Sequence, residues 1–371
     1  MSKARYIMIG GFLGAGKTTS VVKLANWLSD QGKYVGLISN DQGSRLVDTA
    51  MFESKGFPVE EIAGGCFCCR FNSLVDAAEK LSLETRPDVF IAEPVGSCTD
   101  LVATVTYPLR RIYGDNFTIA PLSVVVDPVR ALRVFGLETG ARFSEKVLYI
   151  YRKQLQEADL LVINKCDLLN APRLAQLRGA LGKEFPLAEV LEVSARTGAG
   201  LDEWFGRVTT AEQQARRSMD VDYTIYAEGE ALLGWLNATV QVSATGTIDG
   251  NTVLRQLAGE LQQRLSAQGA EVAHLKMTLD PDAGLGDLAV INLVRNDLVP
   301  ELSQELQDEL RSGQLIVNLR AETTPDVLRG ALDESLSACR VKNTGVTMKL
   351  EHVEHFKPGQ PVPTHRVTGL T

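Results

Sequence analysis

Along the first two hundred residues, short apolar runs alternate with amphipathic stretches. Residues 5–10 (RYIMIG), 34–40 (YVGLISN), 89–93, 123–127, 160–164 and 189–194 are nearly continuous in their apolar character, the pattern of strands buried on both faces. Residues 17–29, 74–83 and 201–208 repeat apolar positions at helical spacing. Strands alternating with helices predict an α/β fold, a mostly parallel sheet with helices on both faces. Residues 41–70, with two glycine clusters, read as a long irregular excursion.

After the polar stretch TTAEQQARRSMD the rhythm changes. Strands are expected at 236–244, 272–279, 288–294, 315–320 and 346–356. Helices are expected at 253–267, with Leu254, Leu257, Leu261 and Leu265 on one stripe, at 302–310 and at 326–338. That predicts a smaller α+β domain of antiparallel strands with two helices on one face. Charge places the boundary: the first 217 residues carry 26 basic and 25 acidic residues, the rest 12 and 21. The expected domains are 1–215 and 216–371.

A net charge of −8 argues against a general nucleic-acid binder. No apolar run reaches the ~18 residues of a membrane span, and glycine and lysine interrupt the N-terminus too often for a signal peptide. A cytoplasmic protein with no membrane partner is the expectation.

Residues 11–18 read GFLGAGKT and fit G-x-x-x-x-G-K-[ST], between an expected strand and an expected helix. Glycines let backbone N–H groups curl around phosphate oxygens, and the helix N-terminus adds its positive dipole end. Lys17 reaches the β- and γ-phosphates and the Thr18 hydroxyl ligates Mg²⁺. The phosphate set is Gly11, Gly14, Ala15, Gly16, Lys17, Thr18 and Thr19.

Residues 160–168 read LLVINKCDL, so a strand delivers Asn164, Lys165 and Asp167 to its C-terminal end. The Asp167 carboxylate suits the paired N–H groups of guanine, and the Lys165 stem can cover the purine face. Ser194 and Ala195 follow the next strand, where a backbone N–H can hold the guanine carbonyl. GTP is therefore expected over ATP. Glu93, ending the strand IAE, is placed to hold the Mg²⁺ shell or orient the attacking water, and Gly96 to sense the γ-phosphate. Asp41 is a second Mg²⁺ candidate or an ordinary turn aspartate. The catalytic set is Lys17, Glu93 and Asp41. Asp127 ends its strand either as a helix cap or beside the nucleotide.

Residues 64–70 read GGCFCCR. Thiolates bind Zn²⁺ and other soft or borderline ions, and a tetrahedral site wants four donors. Cys66, Cys68 and Cys69 supply three; Glu61, a water or a partner's group are candidates for the fourth. Redox chemistry and plain burial are the competing readings of the cluster. Cys98 reads as an extra ligand or as packing, and Cys166 and Cys339 as structural. His352 and Glu354 share one face of a strand.

GGFLGAGKTT, EIAGGCFCC, EPVG and NKCD, in this order, resemble the CobW-type GTPases, of the nucleotide-binding group that includes HypB and UreG. The resemblance covers residues 4–210. It implies a P-loop GTPase domain with slow intrinsic hydrolysis of GTP to GDP. It also implies transition-metal binding, Zn²⁺ or Co²⁺, at the C-x-C-C thiolates. The implied partners are a client metalloprotein or cofactor pathway and a nucleotide-dependent homodimer. Two departures stand out: EPVG replaces the usual E-[ST]-x-G, and no histidine-rich stretch is present. An alternative is a GTPase chaperone or activator of a corrinoid- or other metallocofactor-dependent enzyme, with structural cysteines. A third is a metal buffer or sensor in which nucleotide is only a ligand. No glutamine or arginine finger is evident; Arg45, Arg70 and Arg110 are candidates to act across a dimer.

Overall fold

The computed structural model describes residues 3–40, 47–214, 216, 218–283 and 287–369. In chain order the elements are β1 (Ala4–Gly11), α1 (Lys17–Ser29), β2 (Val35–Asn40), α2 (Val47–Ser54), β3 (Val59–Ile62), α3 (Phe71–Glu84) and β4 (Val89–Glu93). A wide π-type turn (Val102–Thr106) leads into α4 (Tyr107–Tyr113), then β5 (Phe117–Ile119), β6 (Ser123–Val126), α5 (Pro128–Val134), α6 (Glu145–Glu157) and β7 (Leu160–Ile163). Next come α7 (Ala171–Glu184), β8 (Glu189–Glu192), α8 (Leu201–Thr210), α9 (Tyr223–Leu232), β9 (Leu233–Ile248), α10 (Gly250–Ala267) and β10 (Glu271–Pro281). The chain continues through β11 (Ala289–Leu293), β12 (Glu301–Gln304), β13 (Leu310–Glu322), α11 (Pro325–Lys342) and β14 (Val346–Phe356).

Two compact units result: Met1–Gln42, Gly56–Gly229 and Gln360–Thr371 form one, Gly43–Lys55 and Glu230–Gly359 the other. The division falls beyond the expected 215/216 boundary for a local reason. The polar stretch after α8 is tied to the first unit, Gln213 N–H donating to Ile119 O at 2.9 Å and Arg216 to Ala158 O at 2.8 Å. Helix α9 then seats so close to α6 that a Cβ on Gly229 would lie 2.4 Å from Lys146 O.

The first unit is a parallel sheet in the order β3-β2-β4-β1-β6-β7-β8, with β5 also paired to β1. Parallel strands need crossover connections, and helices supply most of them, which is why the strands read as unbroken apolar runs. β2 and β4 are buried at every position. Direction reverses about β1, so the crevice beyond the strand C-termini opens there. Gly11, Asn40, Glu93, Asp127 and Asn164 all emerge at that edge, with Ser39 paired to Glu93 and Gly11 to Val125.

The second unit is an antiparallel sheet, β12-β11-β10-β13-β9-β14. Alternate residues Leu236, Ala238, Val240 and Val242 of β9 and Leu315, Val317 and Leu319 of β13 meet Leu254, Leu257 and Leu261 of α10 and Leu328, Leu332 and Leu336 of α11 in one core. The expected α+β layer is thus present. The expected helix at 302–310 is absent: those residues form β12 and the start of β13, because Leu302 pairs with Ile291 at the sheet edge and exposure alternates along Glu301–Gln304. The excursion at 41–70 contains α2 and β3, too short for periodicity to reveal. No described helix is long and apolar enough to cross a membrane.

Candidate functional site

The phosphate loop joins β1 to α1. Gly16 sits at the head of α1 with φ +98°, and a Cβ there would meet Asn164 Nδ2 at 2.4 Å. Only glycine fits. Lys17 and Thr18 are buried, and the Thr18 hydroxyl donates to Glu93 Oε1 at 2.9 Å. The pair expected around Mg²⁺ is therefore assembled, and one hydroxyl plus one carboxylate is a hard-oxygen set that suits that ion. Gly96 is brought to the same loop, where a Cβ would lie 2.8 Å from Leu13 Cδ2 and 3.0 Å from Leu13 N. Thr19 faces outward. Asp41 lies outside the described residues, as does Arg45.

The N-K-C-D segment is lashed to the phosphate loop. Asn164 Nδ2 donates to Ala15 O at 3.0 Å and Asn164 Oδ1 accepts from Ala195 N–H at 2.9 Å. Lys165, at φ +53°, donates to Gly14 O and to Asp127 Oδ2, both at 2.8 Å. Burial would raise the Asp127 carboxyl, but the charges of Lys165 and Arg130 and the hydrogen bonds they make overcome it and hold the carboxyl well below its usual range. Asp127 also caps α5 through Arg130 N–H, which bears out the helix-cap reading of that strand end. Asp167 is exposed; Ser194 is buried and accepts from Thr197 N–H at 3.1 Å. Ala195 N–H, expected on a guanine carbonyl, is engaged by Asn164.

The thiol loop hangs from the end of β2. Asn40 Nδ2 donates to Ile62 O and Gly65 O, at 2.9 and 2.7 Å, and Asn40 Oδ1 accepts from Phe67 N–H at 3.0 Å. Gly64 and Gly65 both take positive φ, +75° and +153°, which turns the chain sharply. Cys69 and Arg70 N–H then close on Cys66 O and start α3. The result is three sulfurs within 4.8 Å of one another, Cys66–Cys68 at 2.7 Å, Cys66–Cys69 at 3.4 Å and Cys68–Cys69 at 3.6 Å.

These thiols do not ionise alike. Hydrogen bonds from Cys68, Cys69 and Cys98 hold Cys66 well below the usual thiol range. The same hydrogen bond to Cys66, with burial, pushes Cys68 well up, and hydrogen bonding to Cys66 raises Cys69 to about 11. One thiolate shared among protonated neighbours is an electron-rich nest for a thiophilic cation. Glu61, proposed from sequence as a fourth donor, is not a member of the trio; it lines a cleft with Glu60, Ser73, Asp76 and Lys80. Of the arginines considered as fingers, Arg110 donates to Gln213 O at 2.6 Å and Arg70 to Gly64 O.

Residues 362–367 cross over the thiol loop. Thr364 N–H donates to Cys68 O at 2.8 Å and Val362 N–H to Cys69 Sγ at 3.2 Å. His365 packs edge-on against Phe71 at 4.9 Å, and Arg366 Nε donates to Asp100 Oδ2 at 2.7 Å. Nothing local in the sequence announces this strap. Asn40 and Gln154, which organise the loops, also carry no motif.

Comparison with known proteins follows the same division. Residues 5–192 match the model of the CobW/HypB/UreG nucleotide-binding domain. A zinc chaperone CobW from Sinorhizobium sp is 31% identical over 195 residues, 46% of this chain and 53% of that protein. The zinc chaperone YeiR of Escherichia coli is 30% identical over 163 residues, 43% of this chain and 46% of its own. This chain thus spans about half the length of these relatives. Among solved structures, the Zn(II)-bound YjiA GTPase from E. coli aligns over 90% of this chain and 99% of its own, at 14% identity and a TM-score of 0.37. With half the chain matched by the domain model, and a phosphate loop, Thr18–Glu93 pair and N-K-C-D segment assembled at one sheet edge, the chain belongs to the CobW/HypB/UreG family.

Proposed function

We propose that this chain is a GTP-hydrolysing metal chaperone that takes a thiophilic divalent cation at Cys66, Cys68 and Cys69 and hands it to a client metalloprotein. One observation carries the reading: the sulfur trio and the Thr18–Glu93 pair hang from adjacent strands of one sheet, β2 and β4, with Ser39 and Glu93 in register. Zinc is the favoured cargo, because borderline-soft, tetrahedral Zn²⁺ suits clustered thiolates, and relatives named zinc chaperones support it. Cobalt is the second choice. No described helix is long and apolar enough to cross a membrane.

Each residue has a role in this scheme. Backbone N–H groups from Gly11 to Thr19 and the Lys17 ammonium cradle the phosphates. Thr18 and Glu93, which share a hydrogen bond, would hold Mg²⁺, and that ion would supply positive charge against the β- and γ-phosphates. Gly96 N–H meets the γ-phosphate, and Asp41 adds to the magnesium shell. Lys165 lies along the purine, Asp167 pairs with the guanine N–H groups, and Asn164 keeps Ser194 and Ala195 against the phosphate loop. Unaided turnover is slow in this scheme, because the sequence offers no evident arginine finger. A partner supplying one adds about 10³–10⁵ in rate, and a nucleotide-dependent homodimer is one such source.

Coupling is the testable core. A nucleotide shifts metal affinity only if it favours one geometry of the thiol loop, and metal then shifts GTP affinity by the same factor. Zn²⁺ competition against a chelator, with GDP and with a non-hydrolysable GTP analogue, should give affinities differing by about 5–150-fold. Cys66→Ser should abolish tight binding in both. Equal affinities in the two nucleotide states would refute the coupling. Retained client activation by a variant lacking all three thiols would favour the activator reading with structural cysteines.

A further inference from the structure

We infer that residues 362–368 are a latch on the thiol loop: the 366–368 end is a fixed anchor, and the 362–364 end lifts to admit or release the cation. The inference rests on the metal-chaperone reading and adds a gate to the site which that reading describes. Cys66 and Cys68 are 3% and 1% exposed, so a cation reaches their sulfurs only past what lies over them. What meets the loop there comes from far along the chain: Val362 and Thr364 stand 293 and 295 positions beyond Cys69. The anchor is built into the fold. Val102–Thr106 form a wide π-type turn, and Tyr107 N–H bonds to Val102 O, five residues back. Ala103 O would next take the N–H of residue 108, but that residue is Pro108 and has none. Ala103 is buried, and a buried carbonyl needs a donor from elsewhere. Val367 N–H supplies it at 2.8 Å. Beside this bond Arg366 Nε donates to Asp100 Oδ2 at 2.7 Å, Arg366 Nη2 to Met219 O at 3.0 Å and Ser218 N–H to Thr368 O at 3.3 Å. Asp100 is itself buried and also accepts from the Tyr223 hydroxyl at 2.7 Å.

The other end is held more lightly. Thr364 N–H donates to Cys68 O at 2.8 Å, and Thr364 Oγ1 and Val362 N–H donate to Cys69 O and Cys69 Sγ, both at 3.2 Å and both open to solvent. Pro361 and Pro363 flank Val362, so its N–H is the one backbone donor among these three residues, and it goes to a sulfur. The prolines also keep this stretch extended and out of any strand ladder. It therefore lifts as a stiff arm from the anchor at Arg366. Two of its three bonds end on main-chain oxygens, Cys68 O and Cys69 O, which are the same whether or not the sulfurs hold a cation. A cover that grips the loaded and the empty loop alike shifts no binding equilibrium. It sets how fast the cation enters and leaves.

The test compares wild type, Val362→Pro, Thr364→Pro and Thr364→Ala on the full chain. Val362→Pro removes the bond to Cys69 Sγ, Thr364→Pro removes the N–H given to Cys68 O, and Thr364→Ala keeps that N–H and loses only the hydroxyl. Without metal, alkylation of Cys69 by iodoacetamide, located by mass spectrometry, should run about 2–12-fold faster in either proline variant, the shift in an opening equilibrium when one net hydrogen bond is lost. Thr364→Ala should stay nearer wild type. With metal, stopped-flow binding of Zn²⁺ and its transfer to a chromogenic chelator should both speed up by the same factor, leaving affinity unchanged. Unchanged alkylation, or unchanged Zn²⁺ rates, in both proline variants overturns the latch. Faster exit without faster entry also overturns it, because Val362 then supports the Cys69 sulfur and gates nothing. Failure of wild type to bind Zn²⁺ overturns the metal-chaperone reading, while the alkylation rates still decide whether the segment covers the thiols. GDP affinity and thermal midpoint equal to wild type show that a variant is folded; should one proline variant lose its fold, the other carries the test.

Discussion

Glu157 lies at the C-terminal end of α6, behind the segment that carries Cys98, and it should make the first unit lose stability as pH rises. Its Oε2 accepts from Val102 N–H at 3.1 Å, and Oε1 is 3.3 Å from Thr99 Oγ1. Burial, reinforced by the nearby charge of Asp100, pushes this carboxyl from 4.5 up to about 8. At neutral pH it is a carboxylic acid whose two oxygens accept from Thr99 Oγ1 and Val102 N–H. The unfolded chain releases that proton near 4.5 while the folded chain keeps it to about 8. The folded state thus binds more protons across this window, and stability falls as pH rises through it. The contribution is full below 4.5 and gone above about 8; at about 1.4 kcal/mol per pH unit the loss is on the order of 5 kcal/mol. Glu157→Gln keeps the shape and an oxygen for Val102 N–H but cannot ionise. Urea unfolding of the full chain at pH 5, 6.5 and 8.5, followed by tryptophan fluorescence, should give near-parity at pH 5. At pH 8.5 the variant should gain ~1–2 M in midpoint. Trp27 and Trp204 report the first unit and Trp235 the second, so the shift should appear in the first unit's transition. A difference between variant and wild type that does not change with pH would refute a neutral Glu157.

Gly16→Ala forces a Cβ to 2.4 Å from Asn164 Nδ2 at a φ of +98°, and strain of ~1–3 kcal/mol should weaken fluorescent GDP binding by roughly 10–100-fold while the second unit's transition stays put. Asp127→Asn removes the carboxylate paired with Lys165 at 2.8 Å. Because Lys165 keeps partial solvent access, the cost should be about 2 kcal/mol, read as a fall of roughly 4–8 °C in melting temperature, together with weaker GDP binding. Arg366→Ala cuts the strap's bonds to Asp100 Oδ2 and Met219 O, and the reaction of Cys69 with a disulfide reagent should speed up severalfold; an unchanged rate would show that the strap does not shield the thiols.

Much of the site was legible because its chemistry is local. G-x-x-x-x-G-K-T, N-K-C-D and C-F-C-C are runs whose spacing along the chain is their spacing in space, within one turn of backbone. The buried strands were equally plain, since a sheet covered on both faces demands unbroken apolar runs. The C-terminal unit was legible in outline, with one error. Residues 302–310 place leucines at helical spacing, yet Leu302 and Leu306 serve an edge strand and its turn. A stretch that short leaves period 3.6 and period 2 indistinguishable, and tertiary pairing decides.

What sequence reading missed has one physical cause: contacts between residues distant along the chain leave no periodic trace. Val362 and Cys69 stand 293 positions apart, Asn40 and Phe67 stand 27 apart, and Gln154 and Cys98 stand 56 apart. Each pairs uncharged groups, and the two bonds that are buried, from Asn40 and Gln154, satisfy backbone groups that would cost about 1–3 kcal/mol if orphaned. The same accounting explains why the thiol loop needs outside help. Its two glycines at positive φ give it no helix or strand of its own, so Asn40 below and Thr364 above supply the bonds that regular structure would have supplied. A loop held in part from outside should move when its holders move. Asn40 ends β2, beside β4 and its Glu93, so one of those holders comes from the strand next to the proposed Mg²⁺ carboxylate. Under the proposed function the geometry of the sulfurs should follow the state of the phosphate loop, and the metal's affinity should follow with it.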